Sequence, residues 1–282
     1  MKKVWLAALT VAVSVSLAGT SFAAEVKYKK KTLYKEGAAG GGSIAGVVSL
    51  KGKAPAPIIE DLTKGKNVEF CITHPDTNKK DSTRARVKVT VAGDKLKDAV
   101  VFIEKIATGK PWGDLGKAHF DFKLCDIEQK VLAVRKPTKA ESKANGTKEE
   151  GGVMTVTNQD AEILHNPHGY SVAGANRKTL FNKPLPSQGD VAKVSKNIKR
   201  LKQKKDKHFF LQCDQHNFME ADARIVWNPY YSISGADGAF KIDGIPAGKY
   251  KVTAWHPYVG ESSKEVTVAA GAAKADFTLA AK

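Results

Sequence analysis

One stretch decides how this chain folds and what it can bind: Phe209-Phe210-Leu211-Gln212-Cys213-Asp214-Gln215-His216-Asn217-Phe218-Met219. Its apolar start, Phe209–Gln212, predicts a β-strand, and Ala221–Trp227 predicts the next one. The loop between these strands therefore presents a thiolate (Cys213), an imidazole (His216) and a thioether (Met219) within seven residues. A tight loop between neighbouring strands can direct all three at one metal ion.

A second imidazole, His165, follows the strand-like run Val153–Thr157. Two His, one Cys and one Met are the ligand set of a type 1 (blue) copper centre, in which the thioether is the distant ligand. We therefore expect one mononuclear copper ion, with the metal ligands His165, Cys213, His216 and Met219.

Three other interpretations of these residues exist. Zinc also binds Cys and His, but a Met ligand disfavours it. A Cys/His nucleophile pair would leave His165 and Met219 without a role. Four unrelated residues, a buried Cys, two surface His and a core Met, are the third alternative.

Short strand-like runs separated by Gly, Asp and Pro turns fill most of the chain. The runs are Ser43–Leu50, Val87–Val91, Asp98–Ile106, Phe120–Val134, Lys251–His256, Glu265–Ala269 and Asp276–Ala280. Residues 135–152 and 169–190 lack alternation and predict loops, and a short helix is expected only within 191–205. Many short strands with turn signals predict an all-β fold made of β-sandwiches.

The first 23 residues have the features of a secretory leader. Lys2 and Lys3 precede the apolar run Val4–Leu17, and Ser21-Phe22-Ala23 is a small-x-small cleavage signal. The apolar run is too short to span a bilayer, so we expect no transmembrane anchor. A cleaved leader predicts export to the periplasm, or beyond it to the extracellular space. Residues 24–42, Lys-rich and then Gly-rich, predict a flexible linker.

The chain is strongly basic, with 46 Lys and Arg against 29 Asp and Glu and a formal net charge of +17. Such a balance favours anionic partners. The densest run holds Lys196, Lys199, Arg200, Lys202, Lys204, Lys205 and Lys207. We expect this run to dock an acidic, cytochrome-like redox protein. Peripheral contact with an anionic surface and a merely solvated face are alternatives. Nucleic acid is not expected, because few aromatic residues interleave with the lysines.

Three cysteines occur: Cys71, Cys125 and Cys213. If a metal holds Cys213, the other two are free to form a disulfide in an oxidising compartment. Two unpaired buried cysteines are the alternative. Cys71-x2-His74 can mimic a metal-binding pair, but the disulfide is the preferred interpretation.

The seven histidines restrict the class of protein. A multicopper oxidase needs several His-x-His pairs, and the sequence has none. No further three-His site for a copper nitrite reductase is evident. A Cys-x-x-Cys-His motif for covalent haem is also missing. We therefore expect an electron carrier and not an enzyme.

Residues 153–227 resemble the copper-binding half of the cupredoxins, a Greek-key β-sandwich family. The matching motifs are Asn158-x-Asp160, His165-Asn166-x-His168 and the Cys-x2-His-x2-Met loop, which has the amicyanin spacing. The resemblance implies that the four ligands named above bind copper and that the backbone N–H of Asn166 donates to the Cys213 sulfur. His168 matches a position that is not a ligand.

Gly42–Leu50 together with Ser232–Leu279 is similar to the smaller carboxypeptidase-regulatory-like (transthyretin-like) β-sandwich. The motifs are Asp237-Gly238-x-Phe240-x-Ile242 and Ile245-Pro246-x-Gly248-x-Tyr250, in which Gly and Asp set turns and apolar residues fill the core. The resemblances imply that the copper domain is inserted into this sandwich. The expected division is leader 1–23, linker 24–42, N-terminal β region 43–118, copper domain 119–228 and C-terminal β region 229–282.

Together the two resemblances imply a blue-copper electron carrier. Electrons would pass through the edge of His216, with Phe218 and Pro167 as apolar contact surface. Copper storage or delivery is one alternative. A glycan-binding or adhesion module with a vestigial copper site is another.

Overall fold

The computed structural model describes residues 34–281, and strands dominate this range, which confirms the predicted all-β class. The predicted leader, residues 1–23, and residues 24–33 of the predicted linker lie outside the described residues. No helix within 34–281 is long and apolar enough to cross a membrane.

In chain order the strands are β1 (Lys35–Glu36), β2 (Gly42–Lys51), β3 (Ile58–Asp61), β4 (Thr77–Asn78), β5 (Thr83–Arg86), β6 (Val91–Ala92), β7 (Lys95–Leu96), β8 (Val100–Ile103), β9 (Thr108–Gly109), β10 (Ala118–Lys123), β11 (Asp126–Ile127), β12 (Val131–Arg135), β13 (Met154–Asn158), β14 (Pro167–Ala173), β15 (Asn176–Asn182), β16 (Val191–Lys193), β17 (His208–Cys213), β18 (Glu220–Val226), β19 (Tyr231–Ile233), β20 (Ala239–Ile245), β21 (Gly248–His256), β22 (Gly260–Val268), β23 (Gly271–Lys274) and β24 (Phe277–Ala280). The helices are α1 (Val68–Cys71), α2 (Lys139–Ala144) and α3 (Ser195–Ile198), with a 3-10 turn at Leu62–Lys64. Because these helices are short, the tertiary structure depends on packing between sheets.

The first sandwich consists of two sheets, with strand orders β12-β18-β17-β14-β15 and β11-β10-β13-β16. β10 pairs with β13, and β12 with β18, in parallel, so the chain crosses between sheets and does not run as simple hairpins. The inward faces share one core, in which Phe209 of β17 stacks on Phe120 of β10 with ring centroids 6.1 Å apart. Both side chains are fully buried, and each contributes about 2 kcal/mol or more by leaving water.

The second sandwich is built from β19-β8-β21-β22 and from β20-β2-β7-β6, with β23 and β24 also pairing with β2. Its core contains Ile44, Val252 and the neighbouring rings of Phe240 and Phe277, whose centroids are 6.0 Å apart. Gly238 turns the chain into β20 at φ +72°, a conformation that favours glycine. The strand-forming motif around Asp237-Gly238 therefore acts as the sequence predicted.

An apolar junction joins the two sandwiches. Phe102 of β8 and Trp255 of β21 pack there against Ala133 of β12 and Val226 of β18. The guanidinium of Arg224 lies 4.5 Å from the Phe102 ring centroid. The two sandwiches therefore contact each other through the outer faces of one sheet each.

A third, smaller sheet, β3-β5-β4, forms with α1 a unit that we call the cover (residues 58–86). Its residues Leu62 and Cys71 are buried in the core of the first sandwich. A disulfide joins Cys71 to Cys125, with the two Cα atoms 5.2 Å apart. Although the cover falls within the predicted region 43–118, it packs on the first sandwich.

Residues 34–42 are the described part of the predicted linker, and they contact the second sandwich. Tyr34 packs edge-on against Trp112 and Tyr230, with ring centroids 6.0 and 6.3 Å away. β1 pairs in parallel with β9. This stretch is therefore held by aromatic packing and backbone hydrogen bonds.

The predicted strand Val87–Val91 is wrong, because β5 ends at Arg86 and β6 begins at Val91. Lys88 between them bonds to Glu220 and, at 3.1 Å, to the Tyr258 hydroxyl. This segment crosses from the cover to the second sandwich and does not pair in a sheet. Val87 is 51% exposed there, whereas Val89 is buried in the core of the second sandwich.

The predicted loop at 169–190 is also wrong, because β14 and β15 form a hairpin there. Its inward positions hold Gly169, where a Cβ would meet the Phe181 ring at 2.4 Å, and Ser171, which bonds to Asp206. Small and polar residues at the buried positions removed the apolar alternation that predicts a strand.

The predicted loop at 135–152 contains α2. Thr138 caps its N-terminus and Glu141 returns a hydrogen bond, which together make a capping box. Glu141 also bonds to the buried Arg135, and this bond lowers the pKa of the Glu141 carboxyl to about 2. These local hydrogen bonds stabilise a short helix. Its sequence is mostly charged and polar, so it shows no apolar periodicity that would predict a helix.

Candidate metal centre

The candidate metal centre lies at one end of the first sandwich, where β17 ends and β14 begins. In the pairing of these strands Pro167 is opposite Cys213. The residues just before Pro167, His165 and Asn166, therefore arrive beside the thiol. Two backbone hydrogen bonds between His165 and Leu185 fix the loop that brings them.

Three of the predicted ligands converge on one point. The Cys213 Sγ atom is 3.6 Å from His165 Nδ1 and 3.7 Å from His216 Nδ1. The three ligand atoms all lie within 4.8 Å of one another, so these residues can hold one ion. The backbone N–H of Asn166 donates to the same sulfur at 3.4 Å. Cys213 and His165 are 0% exposed and His216 is 1% exposed.

Met219, the fourth predicted ligand, is buried at the base of the same loop. The Cys213 N–H donates to the Met219 carbonyl at 3.1 Å, and the Met219 N–H donates to the His216 carbonyl at 2.9 Å. The loop from Cys213 to Met219 is thus a closed turn that places the backbone of Met219 next to that of Cys213.

The surroundings favour the thiolate form of Cys213. Burial opposes ionisation, but hydrogen bonds from His165, His216 and the Asn166 N–H outweigh it and lower the pKa of the thiol to about 6. A thiolate is the form that binds metal. At neutral pH the sulfur of Cys213 is therefore mainly the thiolate that can bind a metal ion.

Asp160 orients the first histidine. Its carboxylate lies 2.9 Å from His165 Nε2 and accepts the backbone N–H groups of Leu124 and Cys125 at 2.6 and 2.9 Å. Burial opposes the charge, yet these bonds lower the pKa of Asp160. Burial also disfavours the imidazolium, but Asp160 and Cys213 together raise the pKa of His165. The bond from Nε2 to Asp160 orients the ring so that Nδ1 faces Cys213 at 3.6 Å.

The edge of His216 is not open to solvent, which corrects the expectation of an exposed electron port there. The sulfurs of the Cys71–Cys125 disulfide lie within 4.8 Å of a ring nitrogen of His216. Pro167 is buried and Phe218 is 6% exposed. The guanidinium of Arg84, from the cover, lies 4.9 Å from the Phe218 ring centroid. The cover therefore closes this end of the sandwich.

His168 lies outside the cluster. Its Nδ1 faces the Asp214 carboxylate at 3.1 Å and its Nε2 faces the Thr179 hydroxyl at 2.9 Å. The ring also stacks on Tyr170, with centroids 4.0 Å apart. His168 is therefore a neighbour of the loop and not part of the ligand group.

The basic run at 196–207 ends beside His208, away from the cluster. It precedes β17, whose far end carries Cys213. Five residue steps along a strand separate His208 from Cys213 by about 17 Å. All seven basic side chains of the run are exposed, while Val194, Ile198 and Leu201 anchor the segment in the core. The end of the run next to His208 and the candidate centre therefore lie at opposite ends of β17.

The donor set fits copper. One thiolate and two imidazole nitrogens are soft or intermediate ligands that suit copper and zinc, and no carboxylate belongs to this group. Met219, buried and bonded through its backbone to Cys213 and His216, is a soft thioether residue beside this group. Burial of Cys213 also leaves a substrate no direct access to a nucleophilic thiol. A metal site therefore fits better than a Cys/His nucleophile pair.

Sequence reasoning did not assign two features of this site. Asp160 stands in the quoted Asn158-x-Asp160 motif, but its contact with His165 depends on a loop that Asn158 fixes through bonds to Ile163 and Leu185. The contact of the disulfide with His216 has no sequence signal. It joins three segments that the fold alone brings together.

The comparisons with known proteins give little further information. No protein-family model matches the chain, and no curated protein matches it. Among solved structures the chain is similar to a Cu-containing nitrite reductase (NirK) from Thermus scotoductus SA-01, at 14% identity and a TM-score of 0.25. The match covers 39% of this chain and 22% of that chain, so this chain spans about a fifth of that protein.

Proposed function

We propose that this protein is an exported, periplasmic electron-transfer protein with one mononuclear type 1 copper centre and no enzymatic turnover of its own. The observation that supports the proposal is the buried convergence of Cys213 Sγ with the Nδ1 atoms of His165 and His216. Copper in such a site accepts and gives up one electron. His165, Cys213 and His216 would hold the ion, with Met219 as the distant ligand.

The residues around the ligands support the same role. Asp160 fixes the ring of His165, and the Asn166 N–H bonds to the sulfur, so neither ligand is free to rotate. The closed turn from Cys213 to Met219 restrains the other two. A site whose ligands are held in advance rearranges little when its charge changes by one, which favours electron transfer.

An acidic redox protein is the partner that we propose. The exposed basic run at 196–207 supports electrostatic attraction of such a partner, which would weaken as salt is added. Because the run ends next to His208, about 17 Å along β17 from Cys213, we propose that it steers the encounter and is not itself the electron exit.

Copper loading with absorption spectroscopy tests the proposal. The Cu(II)-loaded protein should show an intense visible thiolate-to-copper band. Cys213→Ser should abolish the band. His168→Ala is the matched control, since this histidine lies beside the loop outside the ligand group, and it should keep the band.

Reversible one-electron voltammetry completes the test. A colourless copper complex that cannot be oxidised reversibly would instead support copper storage or delivery. Failure of the native protein to bind copper would refute both functions and leave the adhesion alternative.

A further inference from the structure

Two groups that can hold a metal ion meet at His216. The first is the centre described above. The second consists of Cys71, Cys125 and His216, whose ligand atoms also lie within 4.8 Å of one another. All three residues are buried. In the structure the two sulfurs of this second group are bonded to each other as a disulfide.

One ring nitrogen of His216 lacks a hydrogen-bond partner among the described residues. Nδ1 faces Cys213 at 3.7 Å. Nε2 is buried and has no hydrogen-bond partner among residues 34–281. A buried ring nitrogen without a partner is costly, because it has lost water and gained nothing in return. His216 is 1% exposed, so the group that would satisfy Nε2 must lie inside the protein.

We propose that Cys71, Cys125 and His216 form a second soft-metal site when the disulfide is reduced. Reduction breaks the S–S bond and leaves two thiols. A dithiol reductant supplies the two electrons and two protons and becomes a disulfide, whereas a phosphine supplies the two electrons, takes its oxygen from water, and the two protons come from that water. Binding of Cu(I) then releases the two thiol protons. Two thiolates and an imidazole are a donor set for a soft ion. The proposal goes beyond the electron-transfer function, because neither Cys213 nor His165 belongs to this site.

The backbone on both sides of the disulfide is held without the S–S bond. The Cys125 N–H donates to Asp160 at 2.9 Å, and the Cys125 carbonyl accepts from Arg84 at 2.6 Å. On the other side the Cys71 N–H donates to the Asn67 carbonyl at 2.9 Å. The Lys66 carbonyl lies 3.6 Å from Cys71 Sγ and can accept from a thiol there. The two sulfurs therefore stay close after reduction.

The test uses the full chain with Cys213→Ser, which removes the thiolate of the first centre. The metal-free protein is reduced anaerobically with a water-soluble phosphine, which takes its oxygen from water as it becomes the phosphine oxide. Excess reductant is removed on a desalting column. Thiol titration should then find two thiols where the oxidised protein has none. Cu(I) affinity is measured by competition with a coloured chelator.

Reduction should raise the Cu(I) affinity of Cys213→Ser by roughly 100-fold or more, because two soft thiolates join the site. Alkylating the reduced protein should return the affinity to that of the disulfide form, and this control needs no further mutation. Adding His216→Ala should lower the affinity of the reduced form by roughly tenfold.

Equal affinities of the reduced and disulfide forms would overturn the proposal. The proposal would also be overturned if thiol titration of the folded, reductant-treated Cys213→Ser protein found no thiols. The disulfide would then be closed to the reductant and only structural. An unchanged affinity in the His216→Ala variant would remove His216 from the site. The electron-transfer function fails on a different observation, the missing visible band of the Cu(II)-loaded native protein.

Discussion

The two sandwiches have similar cores, but they differ in what closes the ends of their strands. In the first, β17 ends at Cys213, beside His165 and His216. In the second, the long strand β21 ends at His256, which is 1% exposed. Burial lowers the pKa of His256 to about 4, and Asp222 only partly offsets this. The second sandwich contributes no cysteine over its described residues.

This difference shows that the architecture and the chemistry are set by different residues. Both sandwiches depend on apolar side chains that alternate along strands. The candidate metal centre consists of a few polar side chains held where strands end, supported by Asp160 and by the cover. A substitution in either core should therefore affect folding, but among the core substitutions only those around β17 should also affect copper binding.

The largest expected effect comes from emptying each core in turn. Phe209→Ala and Phe277→Ala remove side chains that are 0% and 2% exposed, and each should cost about 3–5 kcal/mol in the free energy of unfolding. Urea denaturation followed by Trp fluorescence measures this cost. Phe209 lies four residues before Cys213 on β17. Phe209→Ala should therefore also weaken copper binding, and Phe277→Ala should leave the visible band unchanged.

Loss of the band in Phe277→Ala would contradict the expectation that the core of the second sandwich does not affect copper binding. The two sandwiches would then act as one unit through their shared junction at Phe102 and Val226. Equal costs in the free energy of unfolding, with the band lost only in Phe209→Ala, would support that expectation.

The sequence predicted the features that depend on local patterns. Alternation and turn residues identified β2 and most of β21, and ligand types at fixed spacing identified the loop from Cys213 to Met219. The hairpin of β14 and β15 was missed, because Gly169 and Ser171 occupy its buried positions. The covered edge of His216 was missed for another reason. The cover reaches it through the long-range contact of Cys71 with Cys125, which local patterns do not specify.

The next effect in size is a pH dependence in the second sandwich. The pKa of His256 is about 4 in the folded protein, below the ordinary value of 6.5. As pH falls from 6.5 to 4 the unfolded chain takes up a proton before the folded protein does, so stability is lost across this window and levels off below it. The loss attributable to His256 is about 3 kcal/mol.

Urea denaturation of metal-free His256→Gln and native protein, at intervals from pH 7 to pH 4, measures this contribution. The difference between the two proteins removes the titration of the metal-centre groups, which both contain. The variant should lose less stability than the native protein as pH falls. If the free energy of unfolding fell equally with pH in the two proteins, the lowered pKa of His256 would be contradicted.

The smallest effect concerns the positioning of His165. Asp160→Asn keeps the size of the side chain but replaces the carboxylate that faces His165 Nε2 at 2.9 Å. Copper affinity should fall by roughly 10- to 100-fold, because the ring is less well oriented and its Nδ1 is a weaker donor. The visible band should persist, since Cys213 and both histidines remain. Asp121→Asn is the matched control, because the carboxylate of Asp121 on β10 accepts from the side chains of Gln129 and Gln159. Competition with a copper chelator measures both variants, and equal affinities would show that the metal centre depends on its ligands alone.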